Sequence, residues 1–302
     1  MKKSFLKYLL TFIIIIFFID YGCGILMEKE FKKINFSDYG TINKNLKVNA
    51  EVVVLGSSRA QHHYNPHELS KILDNSCYNL GLGGNGVFYN YAILKEIIKN
   101  TPPKAVVLDL SPNVIIDEKS YTKLNLFLPY YSNNDAFKEI IELNPKFSKL
   151  ELISNLYIYN STIYHILRSI NKIDSIDNEL GYKPLEGIID VNNFAPYHLE
   201  NEKMGDNKTK YLLKIIALCK ENKIKLVSVI SPTYLKFDRS NTIINKLDSI
   251  LKTNDVKLYD FSDYPEFYKK QIFFKDQLHL NKEGANLFSK SIAKVIRTEL
   301  IN

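Results

Sequence analysis

The sequence predicts an α/β fold: a three-layer α/β/α sandwich around a five-stranded parallel sheet, carrying a helical insertion and preceded by an N-terminal transmembrane helix. Three observations predict it. Short apolar runs alternate with longer helix-like segments, the pattern of a parallel sheet covered on both faces. Small polar residues follow strand after strand, at the carboxyl edge where open α/β sheets bind ligands. Residues 8–27 are apolar apart from Asp20, and a bilayer-spanning helix needs about 20 such residues.

Lys2, Lys3 and Lys7 precede the apolar core "LLTFIIIIFFI", and no A-x-A-like exit follows it, so a retained anchor is expected rather than a cleaved signal peptide. Cys23 is a poor lipoprotein acceptor, because Asp20 stands where a leucine-like residue is required. Lys29, Lys32 and Lys33 balance the leading lysines, which leaves orientation open by charge alone. A long C-terminal domain behind one anchor is expected to be extracytoplasmic. The division expected is an anchor at 1–33, a polar stalk at 34–50 and a catalytic domain at 51–302 with an insertion at about 114–200.

The strands are "EVVVLG" (51–56), "CYNLG" (77–81), "KAVVLDL" (104–110), "IKLVSVI" (224–230) and "VKLYD" (256–260), too short for helices and rich in β-branched residues. The first full helix is "NPHELSKIL", with Asn65 as N-cap, Pro66 at the first helical position and Glu68 completing a capping box. "VFYNYAILKEIIKN", "NKTKYLLKIIALCKEN" and "NTIINKLDSILK" follow, and the last helix, "NKEGANLFSKSIAKVIRTEL", starts from Asn281. The insertion reads as helices through "DAFKEIIELNPKFSKLELISNLYIYNSTIYHILRSI". Its Tyr121, Phe127, Tyr130, Tyr131, Tyr157, Tyr159 and Tyr164 suit a platform for sugar rings or the helices' own core, and the core is the favoured reading.

Composition narrows function by exclusion. The net charge of +7 is spread along the chain with no basic patch interleaved with aromatics, so no nucleic-acid partner is expected. His62, His63 and His67 lie near one another, but no H-E-x-x-H or C-x-x-C accompanies them; rim or surface histidines are expected, with no metal and no cofactor. Cys77 and Cys219 are expected as buried free thiols in preference to a disulfide.

The residues after the strands carry the chemistry. Strand one ends in Gly56-Ser57-Ser58-Arg59, strand two in Gly81-Leu82-Gly83-Gly84-Asn85-Gly86 and strand three in Ser111-Pro112-Asn113, while Asp276 and His279 fall in the turn before the last helix. A serine hydroxyl becomes a nucleophile when a base takes its proton, and an imidazole is the usual base. Asp276 can hold the second nitrogen of His279. The Ser58 amide, the Gly84 amide and the Asn113 side-chain amide supply donors for an oxyanion.

Two other patterns compete. Gly81, Gly83 and Gly86 match G-x-G-x-x-G, with Asp109 downstream, as in dinucleotide sites. Against this, an exported domain rarely meets a nicotinamide cofactor, and the serine and histidine turns would go unexplained. "GSSRA" also nears the G-x-S-x-G elbow of α/β-hydrolases, but that fold places several strands before its nucleophile.

Taken together, the motifs resemble those of the SGNH hydrolases, the GDSL esterase/lipase superfamily. Ser58 falls at the block I nucleophile, "NLGLGG" is similar to block II with Gly84 as its glycine, "VVLDLSPN" to block III with Asn113, and "DQLH" matches the D-x-x-H of block V. GSSR replaces GDSL, and block III lacks the usual G-x-N-D. The resemblance implies a flavodoxin-like SGNH fold and ester chemistry through Ser58, Asp276 and His279. The G-S-S start on an anchored, long-insertion chain looks most like the branch of D-alanyl-lipoteichoic acid transfer and alginate O-acetylation proteins. That branch implies an acylated cell-envelope glycan as substrate and a membrane-bound O-acyltransferase as partner. The alternative is a non-catalytic glycan-binding or scaffold subunit of such a complex, in which Ser58→Ala would leave the cellular phenotype intact.

Overall fold

The structure, a computed structural model, describes residues 2–116, 122–171, 179–191, 204–234 and 242–301. Along the chain these form α1 (Lys2–Phe31), α2 (Ser37–Asn45), β1 (Val52–Leu55), α3 (Ser58–His63), α4 (Pro66–Leu73), β2 (Cys77–Asn79), α5 (Val87–Asn100), β3 (Ala105–Asp109) and α6 (Pro112–Ile115). There follow α7 (Asp135–Ile141), α8 (Asn155–Tyr159), α9 (Ile163–Asn171), α10 (Asp206–Glu221), β4 (Lys225–Ile230), α11 (Thr242–Thr253), β5 (Leu258–Asp260) and α12 (Lys282–Ile301). They divide into two compact units, one of residues 1–44 and 120–176, the other of residues 45–119 and 177–302.

The second unit is built on a parallel sheet in the order β2-β1-β3-β4-β5. Strand runs of valine, isoleucine and leucine leave no polar face, so both faces must be covered. Val52, Val54, Val107, Val227 and Val229 share one core with Leu69 of α4 and Phe288, Ile292 and Ile296 of α12. α5 and α10 pack together, and α10 also packs on β4. Each fully buried aliphatic side chain contributes about 1.5–3 kcal/mol.

Asn65 caps α4 as expected, its Oδ1 accepting from the His67 amide at 3.0 Å. The reciprocal arm of the capping box is not made: the Asn65 amide donates to Ser289 Oγ of α12 at 2.8 Å, and Glu68 pairs with Lys71. Tertiary packing of α12 on α4 supplies the acceptor in place of the local glutamate, which pairs with Lys71. Cys77 and Cys219 are buried free thiols.

The first unit joins α1 to the helices of residues 122–171. Phe31, at the end of α1, is 2 % exposed, its ring centroid 5.2–5.8 Å from those of Tyr39, Tyr130 and Tyr159. Phe127, Tyr130 and Tyr159 are buried in the unit's own core, Tyr131 and Tyr157 are half-buried and Tyr164 is exposed. Tyr121 lies outside the described residues.

Two expected boundaries differ. Residues 37–45 of the expected stalk form α2, because Ile34, Phe36, Tyr39 and Ile42 bury an apolar face at helical spacing. The expected insertion is divided, with residues 120–176 in the first unit and 177–191 in the second. Gly181 fixes part of that division: at φ 84°, a Cβ on it would lie 1.8 Å from the Asn79 carbonyl oxygen, so the chain can press against β2 only as glycine. Lys3–Phe31 is long and apolar enough to cross a membrane.

Candidate active site

In the order 2-1-3-4-5, connections leave β1 and β3 in opposite directions, which opens a crevice outside their carboxyl ends. Gly56 ends β1 there. A Cβ on Gly56 would lie 2.6 Å from that of Ala60, so only glycine permits the sharp passage from strand to helix. Ser58 is thereby the first residue of α3, a short helix that the sequence reading did not anticipate. Its amide has no acceptor within the helix.

Ser58 Oγ lies 2.8 Å from His279 Nε2, and His279 Nδ1 lies 2.9 and 3.0 Å from the two Asp276 oxygens. A carboxylate can only accept, so Nδ1 carries the proton and Nε2 faces the serine as a base. Asp276 Oδ1 also accepts the amides of Leu278 and His279 at 2.9 Å, which locks the turn. Partial burial alone would raise the Asp276 carboxyl, but the bonds and charge of His279 and the two amides outweigh it and hold the group below its ordinary value. Residues 221 positions apart thus form one hydrogen-bonded row.

Gly83 is set close to the serine, since a Cβ on it would lie 3.7 Å from Ser58 Cβ and 3.1 Å from Gln61 Oε1. Gly84 follows at φ 73° in the same turn. Asn113 is the second residue of α6, just after β3, and its side chain lies outside the described part of the structure. Asp109, the acidic residue of the competing dinucleotide pattern, is buried and accepts from Tyr64 Oη at 2.7 Å. Gly81 serves packing: a Cβ there would sit 2.6 Å from the Gln61 amide nitrogen.

A second polar row lies beneath the first. The Leu280 amide donates to His63 Nε2 at 3.0 Å, so the neutral ring carries its proton on Nδ1 and donates it to Ser231 Oγ at 2.9 Å. Ser231 lies beside Tyr64, whose hydroxyl donates to Asp109 at 2.7 Å. Arg59 Nε and Nη2 lie 3.1 and 2.9 Å from Ser231 Oγ, and Nη2 also donates to the Ser231 carbonyl. Burial, then the charges of Arg59 and His279, push the His63 imidazole far below its ordinary value, so it stays neutral. The expectation of rim or surface histidines therefore fails for His63, which is fully buried. His62 is half-buried, its ring 5.6 Å from that of His279 and perpendicular to it, and burial also lowers its basicity. Among the described residues no group of histidine, cysteine and acidic side chains could hold a metal.

Residues 181–191 tie these parts together. The Lys183 amide donates to the Gln61 carbonyl at 3.1 Å and its carbonyl accepts from His62 Nδ1 at 2.7 Å. Further on, the Lys282 amide donates to the Leu185 carbonyl at 2.8 Å, Asn281 Nδ2 to the Gly187 carbonyl at 2.9 Å and the Ile189 amide to the Phe274 carbonyl at 2.8 Å. One segment therefore bonds to the serine helix and to Phe274, Asn281 and Lys282 on either side of the Asp-His turn. Neither it nor the lower row was found from sequence. Ser231 follows β4 as the other polar residues follow their strands, and the same rule applied to β4 finds it.

No protein-family model matches the sequence, and no curated protein matches it. In fold the chain is similar to a protein of Bacteroides fragilis described as an acylhydrolase, at 15 % identity over 86 % of this chain and 95 % of that one, TM-score 0.44. It is similar also to an acetyl xylan esterase, at 13 % identity over 81 % and 99 % of the two chains, TM-score 0.42. A third is a protein of Desulfitobacterium hafniense described as a lipolytic protein of the G-D-S-L family, at 13 % identity over 82 % and 99 %, TM-score 0.38.

Proposed function

We propose that the chain is a membrane-anchored serine esterase or O-acyltransferase of the SGNH type, acting through an acyl-enzyme on ester-linked acyl groups of a cell-envelope polysaccharide. The observation that carries the reading is the continuous row Ser58 Oγ, His279 and Asp276 at the sheet's carboxyl edge, with bonds of 2.8–3.0 Å. Ser58 Oγ attacks the ester carbonyl while His279 Nε2 takes its proton. Asp276 keeps the base in the right tautomer and stabilises the imidazolium. The oxyanion accepts from the Ser58 amide, the Gly84 amide and Asn113. His279 returns its proton to the leaving alcohol, then activates water or a sugar hydroxyl, which attacks the acyl-enzyme and frees Ser58.

The apolar helix α1 supports anchoring, and a long domain behind a single anchor supports an extracytoplasmic site beside the glycan and a membrane-bound acyltransferase partner. The test is labelling of the full chain in membranes by a fluorophosphonate, with Ser58→Ala and His279→Ala as controls. Labelling lost in both variants is the expected result. Equal labelling of wild type and Ser58→Ala removes Ser58 as nucleophile, and a probe unable to cross the membrane that labels only permeabilised cells overturns the extracytoplasmic site.

A further inference from the structure

The first unit contains an anomaly that its own core does not absorb. Residues Leu150, Ile153 and Leu156, and Ile163, Leu167 and Ile170 of α9, are apolar and between 39 and 82 % exposed. The last three are spaced at four and three residues, one stripe of a helix. A soluble surface scatters such residues singly; a contiguous set marks an interaction face.

The anchor helix supplies a depth scale. At 1.5 Å per residue, the apolar run 8–27 spans about 30 Å, the thickness of a bilayer's hydrocarbon core. Asp20 and Gly24 then lie about 10 and 5 Å inside its C-terminal edge. Those two residues meet the start of α8. The Asp20 carboxylate accepts from Ser154 Oγ at 2.7 Å, from the amides of Asn155 and Leu156 at 2.8 and 3.0 Å, and from Asn155 Nδ2 at 3.2 Å. Gly24 lets Asn155 approach so closely that an added Cβ would lie 2.4 Å from its Cβ. A carboxylate at membrane depth is costly unless it is paired, and irregular backbone there must be satisfied within the protein. The Asp20 cluster meets both conditions, and residues 154–156 are at that depth because they are bonded to Asp20.

We propose that residues 150–170 form a lipid-contact face immersed at the boundary of headgroups and acyl chains, so that the first unit rests in the bilayer beside its anchor. The occupant is lipid, because the face continues the apolar surface of α1, with which α8 and α9 are in contact. Tyr164 on the same helix is an interfacial residue type, and the exposed Lys146 and Lys149 suit anionic headgroups. The proposal rests on α1 spanning the membrane, and the experiment separates the two.

The chain contains no tryptophan, so a single one reports one site. The full chain is reconstituted in phosphatidylcholine/phosphatidylglycerol vesicles whose acyl chains carry bromine near the headgroup or near the bilayer centre. Tryptophan is placed at Phe17, Ile153, Leu167 or Ile301. With a face about 5–10 Å into the boundary, emission from 153 and 167 shifts to the blue and falls about twofold with shallow bromine. Emission from 17, at the middle of the apolar run, falls with deep bromine, and that from 301 is unaffected. Quenching at 17 alone overturns the lipid face and leaves the anchor standing. A blue shift at 153 and 167 without quenching overturns it too, and assigns the face to a protein partner. No quenching at any site removes the anchor and the face together.

Discussion

The rings of His279 and His63 stand 6.2 Å apart, and each sits between a serine hydroxyl and another group of the same turn. His279 is partly open and turns its Nδ1–H to a carboxylate, leaving Nε2 to face Ser58. His63 has no exposed surface and turns its Nδ1–H to Ser231, leaving Nε2 to accept the Leu280 amide. In the upper row the carboxylate touches the imidazole; in the lower row Ser231 and Tyr64 stand between His63 and Asp109. Protonation of the lower ring is therefore penalised. The same residue types leave an unprotonated nitrogen facing Ser58 in one place and form a bracket in the other, and the difference is the position of one carboxylate and the access of water.

The largest effect expected of breaking this contrast is Asp276→Asn. The asparagine can still accept the Leu278 and His279 amides, but it can also donate to Nδ1, which turns Nε2 into a donor. kcat on a model ester should fall by about 10³–10⁴ with the melting temperature almost unchanged. A fall of less than tenfold would mean that Asp276 does not orient the base.

His63→Phe should reverse the balance between rate and stability. It leaves the buried Leu280 amide without its acceptor, a loss of about 1–3 kcal/mol, while Ser231 Oγ loses one donor and keeps Arg59. Urea unfolding should show a loss in that range, while kcat/KM falls only about tenfold, because the Leu280 amide adjoins His279 and its displacement loosens the base. Unchanged stability would show that the lower row does not hold the turn.

The smallest effect is on pH dependence. The folded state lowers the His63 pKa, so between the ordinary imidazole value near 6.5 and the lower folded value the unfolded chain binds the extra proton. The stabilisation is whole above about pH 6.5 and is lost as pH falls below it, at up to about 1.4 kcal/mol per pH unit. His62, lowered by burial, adds in the same direction. Asp276 acts further down, because its depressed carboxyl value keeps its contribution until the pH drops through the carboxylate range. Comparing urea midpoints of wild type and His63→Asn at pH 7.5 and 5.5 isolates the His63 share, and an equal slope in both would assign it elsewhere.

Much of this was legible along the chain. The valine runs, the Asn65 and Asn281 caps and the helical spacings gave the five strands and the helices around them within a few residues, because periodicity and capping act over one or two turns. Ser58 and the D-x-x-H pair were legible because each follows an element whose end is visible. The helix α3 was not, since "SRAQHH" carries no periodic apolar stripe; what holds it is the fit of Ala60 against Gly56 and of Gln61 against Gly81. Asp20 read as an interruption of an apolar run until its four bonds to residues 154–156 explained it.

What the sequence by itself determined was the alternation of strands and helices, the apolar N-terminal helix and the identity of the residues at the sheet's carboxyl edge. Those depend on neighbours a few positions away. Only the tertiary structure decided which histidine faces Ser58 and which brackets the turn, and that Asp20 is bonded to the start of α8. The reason is burial and long-range pairing: Ser231 lies 168 residues from His63 and Asn155 lies 135 from Asp20, and no local pattern records which groups meet once water is removed.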